Sequence, residues 1–218
     1  MERYARAMPI PRVRRDYRGP VLLESRAPAA PHALLNRWFL DAMRHGFLEP
    51  NAMTLATVDA RGRPRARMVL LKQADPRGFT FYTNLRSAKA RELAARPQAA
   101  LVMWWPELHR QLRVEGRVMP LGAAESDAYF ATRPRGAQLG AWASPQSRVL
   151  PSRTALERRL EAMRARFAGG DVPRPPHWGG LMLVPRAIEF WQGRPDRMHD
   201  RLRYERTGAR WKRVRLAP

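Results

Sequence analysis

A lysine in the first turn of a helix opposes the helix dipole, and Lys89 takes such a place in the run Phe81-Tyr82-Thr83-Asn84-Leu85-Arg86-Ser87-Ala88-Lys89. A strand ends here and Ser87 is placed to cap the helix that follows. Free backbone amides beside a cation make an anion site; an ordinary capped surface helix accounts for the same residues. In Arg67-Met68-Val69-Leu70-Leu71-Lys72 the two cations lie five apart, which puts them on opposite faces of a strand. They can serve two different anions, or simply reach solvent from the strand ends. Tyr129 and Arg133 are four apart on a helix end and share a face. Phenol and guanidinium together form a phosphate clamp, or a plain surface stack. Arg197, His199 and Arg201 share one face if the chain is extended there. So dense a cationic face is costly without an anionic partner, although a lone histidine is more often structural than catalytic.

Other chemistries are missing. No Gly-x-Gly-x-x-Gly, Walker loop, His-Glu-x-x-His or Gly-x-Ser-x-Gly occurs. His32, His45, His109, His177 and His199 show no metal-ligand spacing, so no metal site is expected. No pair of carboxylates stands out as an acid and base. Cysteine is absent, which excludes disulfides, thiol catalysis and zinc–thiolate sites. An enzyme built from these residues leaves the hard chemistry to an organic cofactor.

The formal charge is +22, and the cations are nearly all arginine; only Lys72, Lys89 and Lys212 are lysines. A phosphate-rich partner, nucleic acid included, fits such a charge. The arginines are scattered rather than clustered, however, and codon bias explains most of them equally well. Nonspecific attraction is therefore the only nucleic-acid binding expected. The Met1–Arg6 start has no apolar stretch behind it and predicts no signal peptide. No apolar run is long enough to span a bilayer, so a cytoplasmic protein is expected.

The elements that must position these residues are mostly strands. Residues 1–30 carry Pro9, Pro11, Pro20 and Pro28 and read as a flexible basic arm or lid, with Arg12, Arg14, Arg15 and Arg18 around Tyr17. Residues 31–218 read as one domain. An amphipathic helix is predicted over 32–46 from Leu34, Leu35, Trp38, Phe39, Ala42 and Met43. Strands are predicted over 53–58, 67–72, 79–83, 99–105 and 111–119, with a helix over 87–95 between them. Helices follow at about 122–132 and 153–168, then a Gly- and Pro-rich loop over 169–180. Strands over 181–184 and 188–192 and a hairpin tipped by Thr207-Gly208 complete the chain. Short connections favour antiparallel pairing. The expected fold is mainly β with peripheral helices, a closed or half-closed antiparallel barrel.

With these residues in hand, the sequence closely resembles the pyridoxamine/pyridoxine 5'-phosphate oxidase family. The segments that carry the likeness are Arg67–Lys72, Phe81-Tyr82-Thr83-Asn84, Arg133-Pro134-Arg135, Gly140-Ala141-Trp142, Gln146-Ser147, Glu189-Phe190-Trp191-Gln192-Gly193 and Arg197-Met198-His199-Asp200-Arg201. The resemblance implies a Greek-key-like split β-barrel and a homodimer with FMN at the subunit interface. It implies an oxidase that converts pyridoxamine or pyridoxine 5'-phosphate to pyridoxal 5'-phosphate, with O2 as acceptor and H2O2 as product. By analogy FMN is held by Arg67, Met68, Val69, Leu70, Leu71, Lys72, Tyr82, Thr83, Lys89, Gln111, Gln146, Ser147, Trp191 and Arg201. Lys72, Tyr129 and Arg133 grip the substrate phosphate. Arg197 and His199 orient the pyridine ring as the catalytic pair, and Arg14 and Tyr17 close over it. Ala88 and Ala137 depart from the family pattern, which usually has a basic residue and a serine there; weaker binding is the expected result. A split-barrel flavin oxidase acting on another ring, as in phenazine biosynthesis, is one alternative, and a basic, flavin-free nucleic-acid-binding protein, which the charge permits, is the other. The Lys72, Tyr129 and Arg133 clamp argues against the first, because an unphosphorylated ring needs no such grip.

Overall fold

The computed structural model describes residues 16–218. Helix α1 (Pro31–His45) starts with proline at its first position and ends at Gly46, whose φ of 88° closes it in the left-handed conformation. It buries Leu34, Leu35, Trp38 and Ala42 against the sheet. Strands β1 (Ala52–Val58), β2 (Pro64–Leu70), β3 (Gln73–Asp75), β4 (Gly78–Asn84), β5 (Gln98–Trp105) and β6 (Arg110–Pro120) follow, with α2 (Ala88–Ala95) after β4. Helices α3 (Ala123–Ala131), α4 (Arg135–Ala143) and α5 (Arg153–Arg166) form a side layer. Strands β7 (Trp178–Gln192), β8 (Asp200–Thr207) and β9 (Arg210–Leu216) end the chain.

All pairings are antiparallel, in the order β2-β1-β5-β6-β7-β4-β3, with β8 on β7 and β9 on β8. The two edges of that order, β2 and β3, are joined by only Leu71 and Lys72. The Leu71 amide donates to Asn51 at 2.9 Å and the Lys72 amide to Thr80 at 2.8 Å. The sheet must therefore curl until its edges meet, which makes a half-barrel. Its interior is filled by alternating residues such as Met53 and Leu55 of β1, Leu101 and Met103 of β5, and Leu112 and Val114 of β6. Trp38 of α1 meets Phe190 edge-on at 5.1 Å within the same core.

Strand β7 organises the sheet. Its first half pairs with β4 and its second half with β8, while β6 runs along its other edge from Leu181 to Gln192. Between the halves the β6 register shifts, with Glu115 opposite Ala187 and Gly116 opposite Pro185. This bulge at Arg186 reverses which side chains point inward: Leu181 and Leu183 before it, Ile188 and Phe190 after it. The sequence predicted two strands here because the alternation breaks; the backbone runs on as one. Two further differences concern the site. The strand expected over 67–72 ends at Leu70. Helix α4, which the sequence reading did not include, follows α3 after Pro134.

Candidate active site

A cavity of about 680 Å³ opens where β2 crosses to β3, between β4 and helices α2, α3 and α4. Met68, Val69, Leu70 and Lys72 form one wall, Tyr82, Thr83 and Lys89 another, and Tyr129, Arg133, Ala137 and Gln146 a third. Thus most of the predicted cofactor run and all three residues of the predicted phosphate clamp share one cavity.

The aromatic wall is a stack of near-parallel rings. Tyr82 lies 3.9 Å from Tyr129 and 5.3 Å from Trp178, centroid to centroid. Arg133 sits over the Trp178 ring at 4.7 Å rather than over Tyr129, so the two clamp residues meet through a third. Its Nη1 is buried and finds no hydrogen-bond partner among the described residues. Burial lowers the pKa of Arg133, against the opposing pull of Tyr129. Lys89 is only 8% exposed and its Nζ donates to Thr83 Oγ1 at 3.3 Å. Burial pushes its pKa down and nearby Arg67 adds to the effect, while Glu92 opposes it. Buried cations with unused donors are costly unless an anion joins them. On the chemistry of its donors, the cavity fits phosphate esters.

Not every predicted residue lines this cavity. Leu71 points into the barrel core. Ser147 is exposed beside Gln146 and adopts a φ of 67°. Arg67 is engaged elsewhere: Nη2 donates to Glu92 at 2.7 Å and Nη1 to Leu55 O at 3.3 Å and to Thr57 Oγ1.

The remaining residues gather at the far end of β7. Gln111 of β6 is paired with Trp191, and Arg201 of β8 is paired with Trp191 on its other side. His199 packs on Trp191 at 4.6 Å, and Tyr17 covers both at 5.7 Å from Trp191 and 5.6 Å from His199. His199 Nδ1 accepts the Arg194 amide at 3.1 Å, which leaves the ring proton on Nε2. Burial, then Arg197, hold the His199 pKa below its ordinary value, so the ring is neutral near pH 7. Arg201 donates to Glu189 at 2.9 Å and to Ala217 O at 2.8 Å.

One sequence expectation fails here. Arg197, His199 and Arg201 do not share an extended face, because Pro195–Arg197 is a 3-10 turn with φ of 54° at Asp196 and 63° at Arg197. Arg197 is exposed and Arg201 belongs to β8. Arg14 lies outside the described residues. The sequence reading also missed Trp178, assigned to a loop, and Glu92, whose only signal was its place three residues after Lys89 on one helix.

The two groups are separated by the length of β7. Trp178 borders the cavity and Trp191 the far group, thirteen residues or roughly 40 Å of strand apart.

Comparison with known proteins bears on both ends. A family model described as pyridoxamine 5'-phosphate oxidase matches residues 39–167, and one described as a pyridoxine 5'-phosphate oxidase C-terminal dimerisation region matches residues 178–218. The chain is 59% identical to a pyridoxine/pyridoxamine 5'-phosphate oxidase of Thermosynechococcus vestitus, over 94% of this chain and 97% of that one. It is 54% identical to the protein of that name from Pseudomonas fluorescens, with the same coverage. Among solved structures it resembles PhzG from Burkholderia lata, crystallised with tetrahydrophenazine-1-carboxylic acid. That match has 36% identity and a TM-score of 0.86, over 92% of this chain and 99% of that one.

Proposed function

The chain belongs to the pyridoxamine 5'-phosphate oxidase family, and from that premise we propose that it oxidises pyridoxine or pyridoxamine 5'-phosphate to pyridoxal 5'-phosphate, with FMN as cofactor and O2 as final acceptor. The observation that carries the reading is the convergence of Lys72, Tyr129 and Arg133 on one cavity, with a buried Arg133 donor unused. That grip suits a substrate phosphate.

FMN, when bound, supplies the two-electron acceptor for hydride leaving the substrate's C4' carbon, a task no side chain can perform. The chain's part is to bind, orient and exclude water. Lys72, Tyr129 and Arg133 fix the phosphate end of the substrate. Thr83, Lys89 and Gln146, with the Met68–Leu70 stretch, hold the cofactor, and Tyr82 and Trp178 give the cavity a flat apolar wall. Neutral His199 presents an Nε2–H donor, and with Arg197 it orients the pyridine ring under Tyr17. Gln111, Trp191 and Arg201 belong to the cofactor site as well.

One copy separates these groups along β7, and residues 178–218 match a dimerisation region, so a homodimer is the assembly supported. We assign each active site to the interface, with the cavity from one copy and the Trp191–His199 group from the other. No helix among the described residues is long and apolar enough to cross a membrane, which accords with the proposed cytoplasmic setting.

Anaerobic mixing with pyridoxine 5'-phosphate tests the reading. Flavin absorbance should bleach and return when air is admitted. A flavin spectrum that stays unbleached, but responds to a reduced phenazine precursor, would move the substrate to the class bound by the Burkholderia lata protein. Lack of any bound flavin after FMN is added would overturn the cofactor assignment.

A further inference from the structure

Arg67 does not line the cavity, yet it bears on the charge of Lys89, which does. What holds Arg67 is a buried knot of three elements. Thr57 of β1 is 2% exposed and donates to Glu92 Oε2 of α2 at 2.5 Å; Arg67 of β2 donates to both. Leu55 O takes a further bond from Nη1 at 3.3 Å. These contacts use the terminal Nη1/Nη2 edge of the guanidinium. The side edge, Nε–H with the second Nη2–H, has no partner among the described residues. Such a pair of parallel N–H groups can grip two oxygens of a phosphate.

From this geometry we infer that Glu92, with Thr57, is a positioning residue that turns the side edge of Arg67 toward the phosphate of the flavin. The inference rests on the FMN assignment above. Coulomb's law alone argues the opposite role for Glu92. A carboxylate beside Lys89 and Arg67 subtracts from the positive field, so removing it should tighten the binding of an anion. Against that stands orientation: without Glu92 the guanidinium keeps only Thr57 and a carbonyl, and its long side chain regains rotamers. A bidentate bond between charged groups depends on alignment, so loss of alignment outweighs the gain in field.

The two effects have opposite signs, which makes the test decisive. The full chain is stripped of flavin and titrated with FMN and with riboflavin, which lacks the phosphate, following quenching of flavin fluorescence. In Glu92→Ala the ratio of FMN to riboflavin affinity should fall about tenfold, the worth of a lost hydrogen bond to a charged group, with riboflavin affinity nearly unchanged. Glu92→Gln, which keeps an acceptor but not the charge, should lose a few-fold, and it decides the matter if Glu92→Ala fails to fold. An unchanged or increased ratio, or equal losses for both flavins, would overturn the inference and leave Glu92 as a structural ion pair. Failure of the unmodified chain to bind either flavin would instead defeat the cofactor assignment on which the inference rests.

Discussion

Ala137 faces the same cavity as Lys72, Tyr129 and Arg133. A hydroxyl there would reach toward the phosphate that the proposed clamp of Lys72, Tyr129 and Arg133 would hold, and a hydrogen bond to a charged group is worth roughly 1.5–3 kcal/mol. Ala137→Ser should therefore lower KM for pyridoxine 5'-phosphate about tenfold or more with little change in kcat, as steady-state kinetics would show; an unchanged KM would mean the position lies off the phosphate. At this scale the sequence was informative where chemistry alone decides. A lysine in a first turn and a tyrosine four residues before an arginine both pointed to anions, and Lys89, Tyr129 and Arg133 do border one cavity. It was silent where a role depends on packing between distant elements. Glu92 gains its partners only because α2 lies across β1 and β2. Arg197 was misplaced because positive φ at Asp196 and Arg197 falls on residues that give no glycine signal.

The bulge in β7 decides more than local geometry. Gly116 passes so close to its neighbour that an added Cβ would lie 2.0 Å from Val184 O. Backbone cannot yield as a side chain does, so Gly116→Ala should cost about 1–3 kcal/mol or more. Thermal unfolding should show this as a Tm lower by roughly 2–12 °C. Strand and helix positions were largely legible from hydrophobic period, as β1, β5 and α1 show. Helix α4 was not: Gly136 and Gly140 weaken its propensity and Pro134 reads as a stop, and it persists because Leu139 is buried in a cluster with Phe130, Val172 and Trp178. A second element-level device ties the segment before α1 to the end of the chain. Arg215 binds Glu24 through Nη2 at 2.8 Å and Asp200 through Nη1 at 2.6 Å, and Asp200 also accepts the Leu22 amide at 3.0 Å. Chiefly through its bond to Arg215, the Glu24 carboxyl is held down from 4.5 to about 2. A depressed acid stabilises the fold above its ordinary pKa and stops doing so as pH falls through the folded value. The Tm difference between the unmodified chain and Glu24→Gln should thus be present at neutral pH and shrink between about 4.5 and about 2. A difference that persists at the acid end would show that the ion pair is not its source.

Over the whole molecule, barrel closure through Leu71 and Lys72 is what brings β2, β4 and the Lys72 side chain to one rim. The class of fold was legible from strand count and short connections. The distance between the two groups of site residues was not, because sequence order places Trp178 and Trp191 near each other while a continuous strand holds them apart. The formal charge of +22 also gains meaning only in three dimensions. Many arginines are spent on carboxylates, as Arg203 is on Glu115 and Arg201 on Glu189, while Arg133 at the cavity keeps a buried donor in hand. The reach of β7 has a consequence for inheritance. A chain with Arg133→Met is broken at one end of the strand and a chain with His199→Ala at the other, and each should be inactive by itself. Co-expressed, they should complement. Half of randomly assorted dimers are mixed, and each mixed dimer unites both defects in one site while leaving the other intact, so about one quarter of full activity returns. A cell carrying both alleles would grow without added pyridoxal where neither parent could, and absence of rescue would mean that each chain builds its site alone.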